Sequence, residues 1–194
     1  MKYDVLLAGV GGQGVLSVAA IIATGAMKAG LQVRQSEVHG MAQRGGAVQA
    51  HLRLADREIA SDLIPQGGAQ MILAMEPLES LRYLGYLGPD GVLISSADPL
   101  VNIPDYPELE GLLAAIRRLP RHLLVEATAL AGGSTRAANM VLVGAAAPYL
   151  PVSREVLENS IRELFAGKGE GVVAANLKAF AAGLQAGGAE ARAG

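Results

Sequence analysis

The chain has 194 residues, 51% hydrophobic and 4% aromatic, with 16 Lys and Arg against 18 Asp and Glu for a formal net charge of −2. That balance excludes the basic footprint of a nucleic-acid binder, and the shortage of aromatics leaves no base-stacking platform. With no cysteine, disulfides and thiolate ligands for an iron–sulfur cluster or a structural zinc are excluded.

The three histidines, His39, His51 and His122, are scattered without ligand spacing, so no metal site is expected. Val5 to Met27 carries no charge, but glycines interrupt it, and the apolar run Val18–Ala23 falls far short of the ~20 residues of a membrane span. The expectation is a soluble, cytoplasmic protein. Its length suits one domain over 1–186, and the Gly/Ala-rich stretch 187–194 is expected to be a flexible tail.

The chain opens on a buried strand, Val5–Ala8, a turn punctuated by Gly9, Gly11, Gly12 and Gly14, and an apolar helix over Val15–Lys28. Gly9-x-Gly11-x-x-Gly14 fits the dinucleotide fingerprint in its required strand–turn–helix setting. Glycine lets another group approach the main chain, and a helix start presents free N–H groups suited to a phosphate or carboxylate. Gln13 adds an amide. Tight helix packing alone would also explain these glycines. The helix is apolar almost all round, which predicts cover on two sides, by the sheet and by a partner or a large core.

A strand over Leu31–Gln35 follows, then the polar segment Ser36–Gly46, then a clean alternation over Val48–Leu54. The link is too short for a helical crossover, so the third strand is predicted antiparallel. Ile59–Ser61 reads as a short strand and Gln70–Met75 as a buried one. A helix is expected over Pro77–Leu87, a turn at Gly88–Gly91, a strand over Val92–Ser95 and a Pro-rich loop over Asp98–Tyr106. Next come a helix over Glu108–Leu119 and a strand over Leu123–Glu126. Helices at Ala137–Ala147, Ser153–Phe165 and Val172–Leu184 complete the chain. The fold class is therefore α/β: a three-layer Rossmann-like open sheet, mostly parallel with one or more antiparallel strands, and a helical C-terminal part. Ligands in such sheets sit beyond the carboxyl ends of the strands, so the Gly9–Gly14 and Ser36–Gly46 loops are expected to line one crevice.

No nucleophile elbow, Walker lysine loop or metal-ligand helix is present. The densest polar cluster is Ser36, Glu37, His39, Gln43 and Arg44, running into Gly45 and Gly46. Glu37 stands about where a ribose-binding acid could sit, Arg44 could fork onto a phosphate or carboxylate, and His39 could exchange protons near neutral pH. A solvated loop explains the same residues.

Four blocks in order carry a family resemblance: GVGGQG, SEVHGMAQRGGAVQAHLRL, NMVLVGA and GKGEGVVAANLKAF. Together they resemble the gamma-type subunit of 2-oxoacid:ferredoxin oxidoreductases, and EVHGMAQRGG is most similar to the indolepyruvate branch, where the subunit is called beta. The resemblance implies a hetero-oligomeric enzyme that decarboxylates a 2-oxoacid oxidatively, an indolepyruvate or other aryl pyruvate, to an acyl-CoA, with electrons passing to ferredoxin. Thiamine diphosphate and iron–sulfur clusters would reside on a larger partner subunit. This chain, inactive and able to homodimerise when isolated, would hold no cofactor except coenzyme A. By that pattern the matching positions are Gly9, Gly11, Gly12, Gln13, Gly14, Ser36, Glu37, His39, Gln43, Arg44 and Gly45, with Asn139, Lys168 and Asn176 from the later blocks; no catalytic residue is assigned. The residues themselves leave two other readings open: a stand-alone NAD- or FAD-binding protein, and a non-catalytic assembly module.

Overall fold

The computed structural model describes residues 1–39 and 45–190. Its six strands are β1 (Lys2–Val10), β2 (Gln32–His39), β3 (Ala47–Ala55), β4 (Ala69–Ala74), β5 (Leu87–Ser96) and β6 (His122–Val125). They form one sheet in the order β2-β3-β1-β4-β5-β6. β3 is antiparallel to both β1 and β2, and the pairs β1/β4, β4/β5 and β5/β6 are parallel. The helices are α1 (Val15–Lys28), α2 (Pro77–Arg82), α3 (Leu109–Arg117), α4 (Ala127–Leu130), α5 (Ala138–Ala146), α6 (Arg154–Phe165) and α7 (Glu170–Glu190).

Successive strand side chains point to opposite faces, and β1 is buried on both. Val5 and Leu7 enter the core shared with α1, α5, α6 and α7. Leu6 and Ala8 enter the core on the other face, with Ile116 of α3 and Leu81 of α2. This is the expected three-layer arrangement with a mixed sheet. Local signals end the helices as read: Ser153 Oγ accepts from the Val156 N–H at 3.4 Å, and Pro77 opens α2, whose first turn is capped by the Glu76 carboxylate.

The cover over the apolar helices comes from the chain itself. α1 is sandwiched between the sheet and α6, with Gly25 against Val152 and Leu157. From Met140 to Ala146 every residue of α5 is buried, and α7 lies directly on it. A Cβ on Gly144 would stand 2.0 Å from the Phe180 carbonyl oxygen, and one on Gly183 would stand 1.8 Å from that of Val141. Bare backbone is thus what lets the two helices touch. Leu16 and Met27 of α1 remain exposed.

Several expectations need correction. Strand β2 runs to His39 and pairs only with β3, so it is not adjacent to β1. Residues 59–61 carry no strand. The helix at Pro77 stops at Arg82, and a short 3-10 turn over Leu84–Tyr86 leads into β5. Gly88–Gly91 lies inside β5 as an excursion: Ala69 pairs with Leu87, yet Met71 pairs with Val92. Glycine at 91 tolerates the approach, since a Cβ there would come within 2.9 Å of the Ala69 carbonyl oxygen. Finally, α7 continues to Glu190, so 187–190 is helical, with Gly187 packed on Ala145. Among the described residues no helix is long and apolar enough to cross a membrane.

Candidate functional site

The chain leaves β1 toward β2 and β3 on one side and leaves β4 toward β5 and β6 on the other. Beyond the carboxyl ends of β1 and β4 lies the crevice that such a reversal creates. A cleft of about 450 Å³ occupies it. One wall is the glycine loop, Gly11, Gly12 and Gln13, with Met75 at its floor. The other wall comes from Ser96 and 98–100 after β5, Ala127 and Thr128 of α4, and Thr135, Arg136, Asn139 and Leu142 leading into and along α5.

The loop is held mainly by its own hydrogen bonds. The Val10 N–H donates to Gln13 Oε1 at 2.8 Å, and Gln13 Nε2 donates to the Met75 carbonyl at 3.2 Å. The Gln13 N–H returns to the Val10 carbonyl at 3.1 Å, and the Gly11 N–H donates to the Gly46 carbonyl at 2.9 Å. Gln13 is thus a staple between the ends of β1 and β4. Gly12 and Gly14 have φ of +101° and +82°, the left-handed region where glycine is favoured. A Cβ on Gly12 would meet nothing, whereas one on Gly14 would stand 2.4 Å from Asn139 Nδ2. Gly14 is therefore where the loop and α5 close on each other.

The opposite wall is tied down as firmly. Asp98 Oδ2 accepts from the Thr128 N–H at 2.7 Å, and the Asp98 N–H donates to Ser96 Oγ at 3.0 Å. Buried Glu76 accepts from the Glu79 N–H at 2.8 Å, from the Leu100 N–H at 3.5 Å and from the Tyr106 hydroxyl. Burial, and then the hydrogen bond to Glu76, push the Tyr106 hydroxyl pKa above its ordinary value. Asn102 Nδ2 donates to the Gly45 carbonyl at 2.7 Å, so the loop after β5 reaches across to the residues that begin the turn into β3.

The structure brings together only part of the expected site. Gly11, Gly12, Gln13 and Asn139 line the cleft. Gly9 and Gly14 pack behind it, and Gly45 is joined to it through Asn102. Gln43 and Arg44 lie outside the described residues. Ser36 and Glu37 sit on the edge strand β2, opposite His51 and Ala50 of β3, and His39 pairs with Val48 at the strand end. With β3 interposed, β2 is two strand spacings, roughly 10 Å, from β1. Gln35 Nε2 donates to Glu37 Oε1 at 2.6 Å. Lys168 stands over the Phe165 ring at 5.2 Å, and Asn176 is buried in α7 with its Nδ2 on the Val172 carbonyl at 2.8 Å. Ser36, Glu37, Lys168 and Asn176 are not among the described residues that line the cleft. Sequence reasoning missed Ser96, Asp98, Thr128, Thr135 and Arg136. The available signal was position alone: they follow the carboxyl ends of β5 and β6.

The model of the pyruvate ferredoxin/flavodoxin oxidoreductase family matches residues 4–186. The chain belongs to that family. It is 39% identical to the indolepyruvate oxidoreductase subunit IorB of Archaeoglobus fulgidus, covering 94% of each chain. Identity to the IorB subunit of Pyrococcus horikoshii is 36%, over 95% of this chain and 96% of that one. Among solved structures, the keto/oxoacid ferredoxin oxidoreductase gamma subunit of Geobacter sulfurreducens superposes with a TM-score of 0.71 at 26% identity, covering 96% of this chain and 99% of that one. The Magnetococcus marinus 2-oxoglutarate:ferredoxin oxidoreductase, solved with 2-oxoglutarate, coenzyme A and succinyl-CoA, gives a TM-score of 0.78 at 22% identity. That likeness spans 97% of this chain and 31% of the longer one. The family's gamma-subunit fold is thus the fold described above.

Proposed function

We propose that this chain is the small subunit of an indolepyruvate:ferredoxin oxidoreductase, an enzyme that decarboxylates an aryl 2-oxoacid oxidatively to its acyl-CoA and passes electrons to ferredoxin. The observation that carries the reading is full-length similarity to IorB subunits at 33–39% identity, against 29–30% for the 2-oxoglutarate synthase subunits KorC. It assembles with a larger subunit. Apolar Leu100, which lines the cleft, and Val101 and Ile103, which follow it in the chain, stand exposed, a surface suited to a partner.

The cofactors divide by the chemistry of the side chains. A chain without cysteine cannot hold an iron–sulfur cluster through thiolates. The described residues include no cluster of acids or histidines able to hold the metal of a thiamine diphosphate site, and the sequence carries no Gly-Asp-Gly motif. On this reading both groups sit on the partner. Coenzyme A fits better. The cleft is within the ~300–1,000 Å³ of small-molecule sites. Its floor is apolar at Met75 and Leu142, its rim offers the Thr128 and Thr135 hydroxyls and the Arg136 guanidinium, and Gly12 keeps one wall bare. When bound, coenzyme A supplies the thiol that accepts the acyl group; this chain's part is to bind and orient it.

Stand-alone NAD or FAD binding is disfavoured by the sheet order. The expected ribose acid, Glu37, lies on β2, and antiparallel β3 stands between β2 and β1, whereas a ribose acid works from the strand beside β1. Co-expression with the larger subunit tests the reading. Isolation of a brown complex that retains this chain supports it; a lone chain carrying a pyridine nucleotide or flavin overturns it.

A further inference from the structure

We infer that Arg136 is the anion-recognising residue of the cleft and pairs with a phosphate group of the bound ligand. The inference rests on the reading of the cleft as a coenzyme A site and assigns its phosphate contact to the wall opposite the glycine loop.

The argument begins with what the loop has left to offer. Two of its N–H groups, on Gly11 and Gln13, already donate to the carbonyls of Gly46 and Val10. The Gln13 amide is engaged at both ends, on the Val10 N–H and the Met75 carbonyl. The sequence motif suggests a phosphate cradle, but these groups serve as a clasp between strand ends.

Charge in the cleft then decides. Among the described lining residues one is cationic, Arg136, and one is anionic, Asp98. Asp98 is engaged by the Thr128 N–H at 2.7 Å and forms no ion pair with Arg136 among the described residues. Six other arginines, at 34, 53, 82, 117, 154 and 162, each have a carboxylate partner; Arg57, Arg118 and Arg121 form no such ion pair among the described residues but do not line the cleft. Arg136 has none among the described residues, and it is exposed to the solvent that fills the cleft.

The setting suits a side chain that moves onto a ligand. Gly132 and Gly133, both at positive φ, precede it, so the chain can turn sharply into this position. Ala137 and Met140 behind it are buried, so its base is anchored. An arginine fork on a fixed base, facing a cleft with no other cation among its described lining residues, selects a planar or tetrahedral oxyanion.

The test measures binding of coenzyme A and of dephospho-coenzyme A to the assembled two-subunit enzyme by calorimetry, in the wild type, Arg136→Ala, Arg136→Lys and Arg44→Ala. Arg136→Ala should weaken coenzyme A about tenfold to hundredfold, the usual range for loss of a charge-assisted contact. Arg136→Lys should recover part of that loss. The ligand-free melting temperature and the KM for the oxoacid should stay at wild-type values, which a merely structural role would not permit. If dephospho-coenzyme A is insensitive to Arg136→Ala, the contact is to the ribose phosphate; equal sensitivity places it on the pyrophosphate, and both results support the assignment. Wild-type coenzyme A affinity in Arg136→Ala, or a loss confined to Arg44→Ala, overturns it while leaving the cleft as the coenzyme A site. Failure of the wild-type complex to bind coenzyme A overturns that reading and this inference together.

Discussion

The main-chain N–H of Gly11 donates to the carbonyl of Gly46 at 2.9 Å, and this bond closes the glycine loop onto the start of β3. It explains why a fingerprint associated with dinucleotides ends in a different arrangement here. An antiparallel strand has been set beside β1, and the loop fastens to it.

Gly14 is the point at which the loop and α5 meet. Gly14→Ala should cost about 1–2 kcal/mol for a left-handed non-glycine residue, and its methyl would also collide with Asn139 Nδ2, 2.4 Å away. Chemical denaturation should show the loss. The double variant Gly14→Ala/Asn139→Ala should recover the steric part and leave the backbone part. Stability equal to wild type in Gly14→Ala would contradict the described geometry.

The α5–α7 contact makes a sharper prediction. Gly183→Ala places a methyl 1.8 Å from the Val141 carbonyl oxygen, so the helices must part. The cost should exceed the ~1–3 kcal/mol of an ordinary overpacked site. Gly188, in the same helix, has open space around its Cβ position, and Gly188→Ala should be neutral or stabilising by up to about 1 kcal/mol. Similar melting temperatures for the two variants would refute the close packing.

At the amino end of β1, away from the cleft, buried Asp4 takes a two-pronged contact from Arg53, at 3.0 and 3.2 Å, and a further one from Lys2 at 2.9 Å. Arg53 also donates to the carbonyls of Ser61 and Leu63 at 2.9 and 3.0 Å. This cluster anchors the irregular 56–68 segment to β1 and β3. Asp4→Ala should destabilise by about 3–5 kcal/mol, because it leaves a largely buried cation without its carboxylate. Urea denaturation reads that loss; a change under about 1 kcal/mol would show the pair to be dispensable.

His51 gives the pH dependence. It is buried, its Nδ1 accepts from the Ile64 N–H at 3.1 Å, and it meets the Tyr86 ring edge-on at 5.4 Å. Burial, helped by Arg53, lowers its pKa below the ordinary 6.5. The folded state therefore binds fewer protons than the unfolded chain. Its contribution to stability is present above the ordinary value and is lost as pH falls from there through the lowered folded value. The melting temperature should fall as pH drops below about 6.5, and His51→Asn, which keeps an acceptor for Ile64, should flatten that slope. An unchanged slope would rule His51 out as its source.

Much of this fold is legible in the sequence because its signals are local. The strand–glycine–helix opening, the alternation in β3, the short link before it that predicts an antiparallel strand, the Pro77 start and the Ser153 cap each depend on nearby residues. What depends on distant partners is not legible. Nothing in Leu31–His39 says that β3 will intervene between β2 and β1, which removes Glu37 from the cleft. Gly88–Gly91 has the composition of a turn, but Ala69 pairs with Leu87 and holds it within a strand. Gly187 reads as a frayed tail until Ala145 is seen beneath it. The cleft's second wall, from Ser96 to Arg136, comes from strand ends that only the sheet order brings opposite Gly12.

We propose above that this chain serves an aryl 2-oxoacid:ferredoxin oxidoreductase as its small, coenzyme A-orienting subunit. The most direct measurement is ferredoxin reduction by the reconstituted two-subunit enzyme with coenzyme A and, in turn, indolepyruvate, 2-oxoglutarate and pyruvate. The account predicts turnover with indolepyruvate well above the other two, strict dependence on this chain and on coenzyme A, and none from the chain alone. Equal turnover when this chain is omitted, or a preference for 2-oxoglutarate or pyruvate over indolepyruvate, would contradict it.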